Sequence, residues 1–161
     1  MPKELLWLTW TTILTGIMWI PYILDRIAAR GLVGAMANPS PNDEPQSVWA
    51  QRLMNAHRNA VENLVVFATL VLTLRALNIS TGTTVAACAV FFYARLAHAV
   101  VYWLGIPVLR TLAFSVGFFA EVVLVLAPIS IAAAWPRPAS ACCRSDTSSA
   151  STLPCAPSRA S

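Results

Sequence analysis

The chain has 161 residues, of which 57% are hydrophobic and only 11% are charged. A soluble domain usually carries about 25% charged residues, and the mean hydropathy of +0.63 is also high. The composition therefore excludes an ordinary soluble domain and predicts an integral membrane protein surrounded by lipid.

The formal net charge is +4, and the basic residues are scattered singly along the chain. A nucleic-acid-binding surface needs clustered Lys and Arg side chains, which this pattern lacks. The charge therefore excludes nucleic acid as a partner.

Four apolar stretches are each long enough for the roughly 20 residues that a tilted transmembrane helix needs. They cover residues 5–24, 48–77, 83–104 and 108–135. No stretch alternates apolar and polar residues with period two, and a lipid barrel would need at least about eight such strands. The sequence predicts an all-α, integral membrane four-helix bundle over residues 1–135, with helices at about 5–28, 48–77, 83–104 and 108–135.

The first apolar stretch follows Lys3, as the core of a signal peptide would. It exceeds the roughly 7 to 15 apolar residues of such a core and ends in Asp25-Arg26 without an A-x-A cleavage site there, so we interpret it as the first transmembrane helix. Pro21 should bend this helix, because its ring clashes with the preceding turn and it lacks a backbone donor. A Gly, Asn, Pro and Asp cluster predicts a loop over residues 30–45, and tight connections are predicted at 78–82 and at Pro107.

Residues 136–161 change abruptly to Pro, Ser, Ala, Cys and Thr, without periodicity, and predict a disordered tail. Three of the four cysteines lie there, at positions 142, 143 and 155, and the fourth is Cys88 in the third helix. Because this spacing fits none of the usual C-x2-C patterns, no metal site is predicted.

The basic residues also predict the orientation, since Lys and Arg collect in short cytoplasmic loops. Arg26, Arg30 and Arg52 flank the first predicted loop, Arg110 follows the last connection on the same side, and Arg75 stands alone at the opposite side. We therefore expect the first and last connections to face the cytoplasm and both termini to lie on the other side.

Each predicted helix after the first carries its charged residues on one stripe, at about 100° per residue. In the second helix, His57 points away from that stripe, near 200° when Asn55 is set to zero. The stripes consist of Arg52, Asn55, Arg58, Asn59 and Glu62 in the second helix, Arg95, His98 and Tyr102 in the third, and Arg110 and Glu121 in the fourth.

Three of these charges, Glu62, Arg95 and Glu121, fall near the middle of their segments. An ionisable side chain there costs roughly 2.5 to 3.5 kcal/mol even on lenient insertion scales, so it is rarely kept without a use. We hypothesise that Arg95 is the shared counter-charge for Glu62 and, secondarily, for Glu121, with Asn59 and Tyr102 completing the hydrogen bonds. A structural alternative is that the polar groups only hold the helices together, since interhelical hydrogen bonds contribute roughly 0.6 kcal/mol on average. The mixture of carboxylate, guanidinium, amide, imidazole and phenol groups favours a site for a zwitterionic or anionic, peptide-like ligand.

The segment QRLMNAHRNAVENLVVF at residues 51–67 resembles the signature of the membrane-associated proteins in eicosanoid and glutathione metabolism, the MAPEG family, which includes the microsomal glutathione transferases and leukotriene synthases. The family pattern is roughly E-R-x-x-R-A-x-x-N-x-x-E-N/Y, and the matching residues are Arg52, Ala56, Asn59, Glu62 and Asn63. A second block, YARLAHAVVYWLGIPVLRTLAFSVG at residues 93–117, resembles the third helix and the start of the fourth. The resemblance covers about residues 5–135.

The resemblance implies a homotrimer that binds glutathione between neighbouring protomers near the cytoplasmic side. By position, Asn59 and Glu62 inherit contacts with the tripeptide, and Arg95 and Tyr102 match an arginine and a tyrosine that line the same site. Arg110 matches an arginine that is thought to stabilise the glutathione thiolate, which is the nucleophile. Further candidates for binding from the same motif are Arg52, His57 and Arg58.

The chain departs from the family pattern at Asn55, where the family usually has an arginine. The exchange removes a bidentate partner for a carboxylate or thiolate, and Arg58, one turn along, is the candidate substitute. His98 stands where the synthases have a tyrosine. Either Arg26 or Arg30 matches the arginine at the end of the family's first helix.

The sequence thus predicts a glutathione-dependent membrane enzyme of transferase or peroxidase type, acting on small lipophilic electrophiles that arrive from the bilayer. The alternative is a non-catalytic protein of the same fold that binds glutathione or another anion, or scaffolds a complex. A third interpretation, a proton-coupled exporter using Glu62, is less favoured because the polar residues group at one end.

Overall fold

A computed structural model of the chain describes residues 2–38, 40 and 43–134. It contains five helices and, within those described ranges, no strand. The helices are α1 (Lys3–Ile17), α2 (Trp19–Met36), α3 (Val48–Ala76), α4 (Gly82–Leu104) and α5 (Pro107–Ala134). The predicted tail at 136–161, with its three cysteines, lies outside the described residues.

Four segments of the described chain are long and apolar enough to cross a membrane, which confirms the predicted all-α, four-span bundle. The first segment combines α1 and α2, and the other three correspond to α3, α4 and α5. Their bounds are Lys3–Met36, Val48–Ala76, Gly82–Leu104 and Pro107–Ile131.

The first span is interrupted at Met18, between α1 and α2. Pro21 has no N–H to donate to the carbonyl group of Ile17, and its ring crowds that carbonyl group. The last residue of α1 is therefore Ile17, although the backbone of Met18 itself stays in the right-handed helical region. The interruption lies where Pro21 was predicted to act.

The first membrane span extends further than the sequence predicted. Its helix was expected to end at about residue 28, and α2 continues to Met36. The expectation of a loop from residue 30 onward is therefore wrong at its start, and the connection to α3 covers only residues 37–47. Gly31 leaves the helical region with a φ of 70°, a conformation that glycine adopts without steric cost. A further helical turn follows it, since the next residues include good helix formers.

The predicted tight connections on both sides of α4 are present. At the start of α4, the side chain of Thr81 accepts a hydrogen bond from the Thr84 N–H group, and the Thr84 hydroxyl group accepts one from Thr81 in return. At its end, Gly105 adopts a left-handed conformation with a φ of 80°, and Pro107 begins α5. The Thr81–Thr84 pair is a capping box at the start of a helix, Gly105 is a left-handed C-terminal cap, and proline is common at the first position of a helix.

Aromatic and aliphatic side chains of α3, α4 and α5 form the main core. The rings of Phe67 and Phe91 stack at its centre, with 4.0 Å between their centroids. At the end of the bundle where the chain begins, the buried carboxylate of Glu4 accepts hydrogen bonds from the hydroxyl groups of Ser80 (2.7 Å) and Thr84 (3.0 Å). The sequence analysis did not find this contact, which fixes α1 to the start of α4.

Candidate functional site

Two adjoining cavities lie at the opposite end of the bundle, where α3 begins, α4 ends and α5 begins. The larger, here the asparagine cavity, has a volume of about 250 Å³ and is lined by Asn55, Asn59, His98, Tyr102, Arg110, Thr111 and Phe114. The smaller, here the arginine cavity, has a volume of about 140 Å³ and is lined by Arg52, Tyr102, Gly105, Ile106, Pro107 and Arg110. Tyr102 and Arg110 line both cavities, so we treat the two as one site.

Arg110 and Tyr102 are in direct contact between the two cavities. The guanidinium group of Arg110 lies over the Tyr102 ring, 4.5 Å from its centroid. His98 and Tyr102 both lie on α4, and the His98 ring meets the Tyr102 ring edge-on, with 5.5 Å between centroids. A cation over an aromatic face is attracted to it, so this stack orients Arg110 towards the site.

Arg52 reaches across from α3 to the end of α4. Its guanidinium group lies directly against Gly105, where an added Cβ atom would overlap with it. Glycine is favoured at this position for a second reason, because residues with a side chain rarely adopt a φ of 80°. The start of α3 and the end of α4 are thereby held together, with a cation at the rim of the site.

Arg95 is buried behind the asparagine cavity and lines neither cavity. Its guanidinium group donates to the side-chain oxygen of Asn59 (3.3 Å) and to the carbonyl group of Phe114 (3.2 Å). It also lies 5.2 Å from the ring centroids of both Phe91 and Phe114. The predicted contact between Arg95 and Asn59 is therefore present, and it orients an amide that lines the cavity.

The predicted contact between Arg95 and Glu62 is wrong for the protomer. Glu62 is paired with Arg58 on its own helix, with 3.3 Å between Glu62 Oε1 and Arg58 Nε. The side chain of Glu62 is 61% exposed and that of Arg58 is 82% exposed. The buried arc of α3 lies at about 100° to 160° from Asn55, so only the edge of its polar stripe reaches α4. That arc contains Ala56, Ala60, Phe67, Val71 and Leu74.

The predicted pairing of Arg95 with Glu121 is present only as an electrostatic attraction, without a direct contact between the two charged groups. Glu121 is buried in α5, and its Oε1 atom has no hydrogen-bond partner among the described residues. Arg95 and Glu121 make no ion pair; in the described part of the chain, ion pairs join Arg58 to Glu62 and Arg30 to Asp43.

Three further candidates, Arg26, Arg30 and His57, connect α2 to the chain that follows it and line neither cavity. The ring nitrogen Nδ1 of His57 is 2.9 Å from the Tyr22 hydroxyl group, on the side of α3 that faces α2. The side-chain partners of the two arginines lie in the connection: Gln46 for Arg26 at 3.4 Å, and Asp43 for Arg30 at 2.7 Å. In the protomer, His57 therefore joins α3 to α2, and the two arginines join α2 to the connection that follows it.

The sequence analysis missed Thr111 and Phe114, which line the asparagine cavity. The hydroxyl group of Thr111 donates to the Pro107 carbonyl group at 3.2 Å, and Thr111 follows directly after Arg110. Phe114 lies four residues after Arg110 and so shares its face of α5, a signal that would have indicated Phe114 but not Thr111.

The sequence model of the MAPEG family matches residues 5–130 of the chain. This range includes all the residues that line both cavities. No curated protein matches the chain.

Proposed function

Because the chain belongs to the MAPEG family, we propose that it is a glutathione-dependent membrane enzyme of transferase or peroxidase type. Its second substrate is a small lipophilic electrophile that dissolves in the bilayer.

The observation that carries this proposal is the pair of cavities that share Arg110 and Tyr102. Polar groups within membrane-spanning helices are costly and mark functional sites. This cluster combines two guanidinium groups, two amides, a phenol and an imidazole, which exceeds what helix packing requires.

The lining groups suit the charges and peptide bonds of glutathione. Guanidinium groups bind carboxylates through two parallel hydrogen bonds, and Arg52 and Arg110 supply one such group on each side of the arginine cavity. The amides of Asn55 and Asn59 each carry donors and an acceptor that match a peptide bond. The Arg95 contact holds the Asn59 amide in one orientation, because Asn59 Oδ1 accepts from Arg95 and its amide nitrogen is left to donate.

Arg110 is the proposed catalytic residue. A cation beside a thiol lowers its pKa, and the thiolate is the form that attacks electrophiles. The stack on Tyr102 positions the cation before the substrate binds, so less ordering is needed on binding. Arg110 is at the start of α5 and half-buried, which strengthens its electrostatic effect relative to a fully solvated arginine.

We also propose the homotrimer that the family implies. Arg58 and Glu62 lie near the middle of a 29-residue span and are exposed on the protomer surface. Charged side chains facing lipid at that depth are costly, and they almost always face a bundle interior or a water-filled cavity instead. A neighbouring protomer over this face would remove the charges from lipid and bring Glu62 to the glutathione site.

The proposed orientation places the site at the cytoplasmic side, because Arg26, Arg30, Arg52 and Arg110 all lie at that end. Labelling with a membrane-impermeant maleimide tests this in variants whose tail cysteines are replaced by serine. In sealed cells, Asn78→Cys should react and Glu44→Cys should not. The reverse pattern would contradict the orientation.

A second candidate function is a non-catalytic protein that binds glutathione. The observation that favours it is Asn55, an amide that lines the cavity at the position where the family usually has arginine. Turnover separates the two candidates. Purified protein should conjugate an aryl halide or reduce a lipid hydroperoxide at the expense of glutathione, and Arg110→Leu should abolish that activity. Glutathione binding without turnover would favour the second candidate.

A further inference from the structure

An apolar groove runs along the outer face of the bundle between the end of α1 and α4, bordered by the start of α3, and we name it the α1–α4 groove. Its volume is about 410 Å³, larger than either polar cavity. The ten residues that line it are all hydrophobic, among them Leu14, Ile17, Pro21, Val100 and Trp103. It shares no lining residue with the asparagine or arginine cavity.

The groove is a consequence of the interruption in the first span. Before the interruption, α1 packs against both α3 and α4. After it, α2 packs against α3 and, within the described residues, its backbone does not approach that of α4 closely. Pro21 therefore diverts the chain away from α4 and leaves the last two turns of α4 without a covering helix on this side.

A buried cluster of one methionine and three alanines separates the groove from the polar site. Met18, Ala56, Ala60 and Ala99 form a buried cluster, and Tyr102 packs against the same cluster. Met18 and Ala99 face the groove, whereas Tyr102 faces the polar cavities. A molecule in the groove is thus held apart from the groups proposed to bind glutathione.

We propose that the α1–α4 groove binds one acyl chain of a membrane phospholipid. All ten lining residues belong to membrane-spanning segments, so the groove is continuous with the surface that faces lipid. Its volume is within the roughly 300 to 1,000 Å³ of small-ligand sites, and its hydrophobic lining suits a hydrocarbon chain. This inference does not depend on the proposed function.

Two tryptophans define the direction of the bound chain. The rings of Trp49 and Trp103 meet edge-on, with 6.5 Å between centroids, at the end of the groove near the start of α3. Tryptophan prefers the boundary between headgroups and hydrocarbon. The ester end of the acyl chain therefore lies at this pair, and the methyl end points along α1 towards Leu14.

Fluorescence quenching by a phospholipid with brominated acyl chains tests the proposal on the full chain. The protein is equilibrated with this lipid and then diluted into detergent without bromine. Trp103, which lines the groove, and Trp19, which does not, are nearly equally exposed at 48% and 46%. Their separate signals follow from comparing the wild type with Trp103→Phe and Trp19→Phe.

The bound chain should keep Trp103 quenched after dilution, while Trp19 recovers at once. Val100→Phe, which fills the groove, should abolish the retained quenching. Val125→Phe on α5 is the matched control, because Val100 and Val125 are 44% and 39% exposed and Val125 does not line the groove. Equal recovery of Trp103 and Trp19 in the wild type overturns the proposal without any groove variant. Retained quenching in Val100→Phe overturns it too, as does displacement of the lipid by an aryl halide at low concentration, which would assign the groove to the second substrate.

Discussion

The guanidinium group of Arg95 occupies the space that a side chain at position 117 would need. A Cβ atom added to Gly117 would overlap with Nη2 of Arg95, and Nε and Cζ would also be too close. Arg95 in turn donates to Asn59, whose amide lines the asparagine cavity. The absence of a side chain at one position of α5 therefore determines the orientation of an amide on α3.

Gly117→Ala should displace Arg95 and weaken its bond with Asn59. Overpacking of this kind typically costs about 1 to 3 kcal/mol, which exceeds the roughly 0.5 to 1 kcal/mol that alanine gains over glycine in a helix, so we expect a lower free energy of unfolding and several-fold weaker glutathione binding. Thermal unfolding in detergent and calorimetric titration measure the two effects.

Gly16→Ala is the matched control, because nothing lies within 4 Å of a Cβ atom there. Alanine is favoured over glycine in a helix by roughly 0.5 to 1 kcal/mol, so this variant should be neutral or stabilised. Arg95→Lys in the Gly117→Ala background should recover part of the lost stability, since lysine lacks the planar fork. Equal effects of the two glycine substitutions would show that Arg95 does not depend on the space at position 117.

Asn55→Arg should increase glutathione affinity and turnover. It restores the arginine of the family pattern on a residue that lines the asparagine cavity, and a hydrogen bond to a charged group contributes about 1.5 to 3 kcal/mol. An increase of roughly tenfold or more in affinity is therefore expected. Asn55→Lys is the control, because it adds the same charge without a bidentate donor and should give a smaller gain. If both variants bind glutathione no better than the wild type, position 55 does not contact the ligand.

Exchanging the charges of Arg58 and Glu62 tests whether their face meets a neighbouring protomer. Arg58→Glu/Glu62→Arg keeps an ion pair one helical turn apart, and exposed pairs of this kind contribute only about 0.3 to 0.5 kcal/mol. A lone protomer would tolerate the exchange. We expect it to reduce both the trimer fraction in native mass measurements and glutathione binding. Arg75→Gln, in the last turn of α3, should affect neither. Wild-type assembly of the exchanged variant would place the interface elsewhere.

Glu4→Ala should destabilise the protein without changing glutathione affinity. It removes the acceptor of the Ser80 hydroxyl group and one of two acceptors of the Thr84 hydroxyl group, which can still donate to the Thr81 carbonyl group, at the end of the bundle opposite the site. The expected loss is about 1 to 3 kcal/mol in the free energy of unfolding. Glu44→Ala, in the exposed connection between α2 and α3, should cost far less. A large change in glutathione binding in Glu4→Ala would contradict the separation of the two ends.

Hydropathy and helix breakers were sufficient to predict the spans and the interruption near Pro21, because both depend on local sequence. The extension of α2 to Met36 was missed, since a glycine with positive φ can lie between two helical turns. The Glu4 contact joins residues 76 and 80 positions apart, and no periodicity within one helix indicates such a pair.

Helical periodicity predicted which polar residues share a stripe, but not which edge of the stripe meets the next helix. In α3 the small and aromatic residues define the buried arc, so Asn59 reaches Arg95 while Glu62 faces outward. That direction depends on how three helices pack together. The same limitation explains why Thr111 was found only in the structure.

The central claim is that Arg110, held over Tyr102 between two polar cavities, forms part of a glutathione site. Calorimetric titration of the purified protein with glutathione, compared between the wild type, Arg110→Leu and Arg75→Leu, tests it most directly. We predict saturable binding to the wild type and to Arg75→Leu, and at least about tenfold weaker binding to Arg110→Leu, as expected for loss of a charged hydrogen bond. Equal affinities of the wild type and Arg110→Leu, or no binding to the wild type, would contradict the claim.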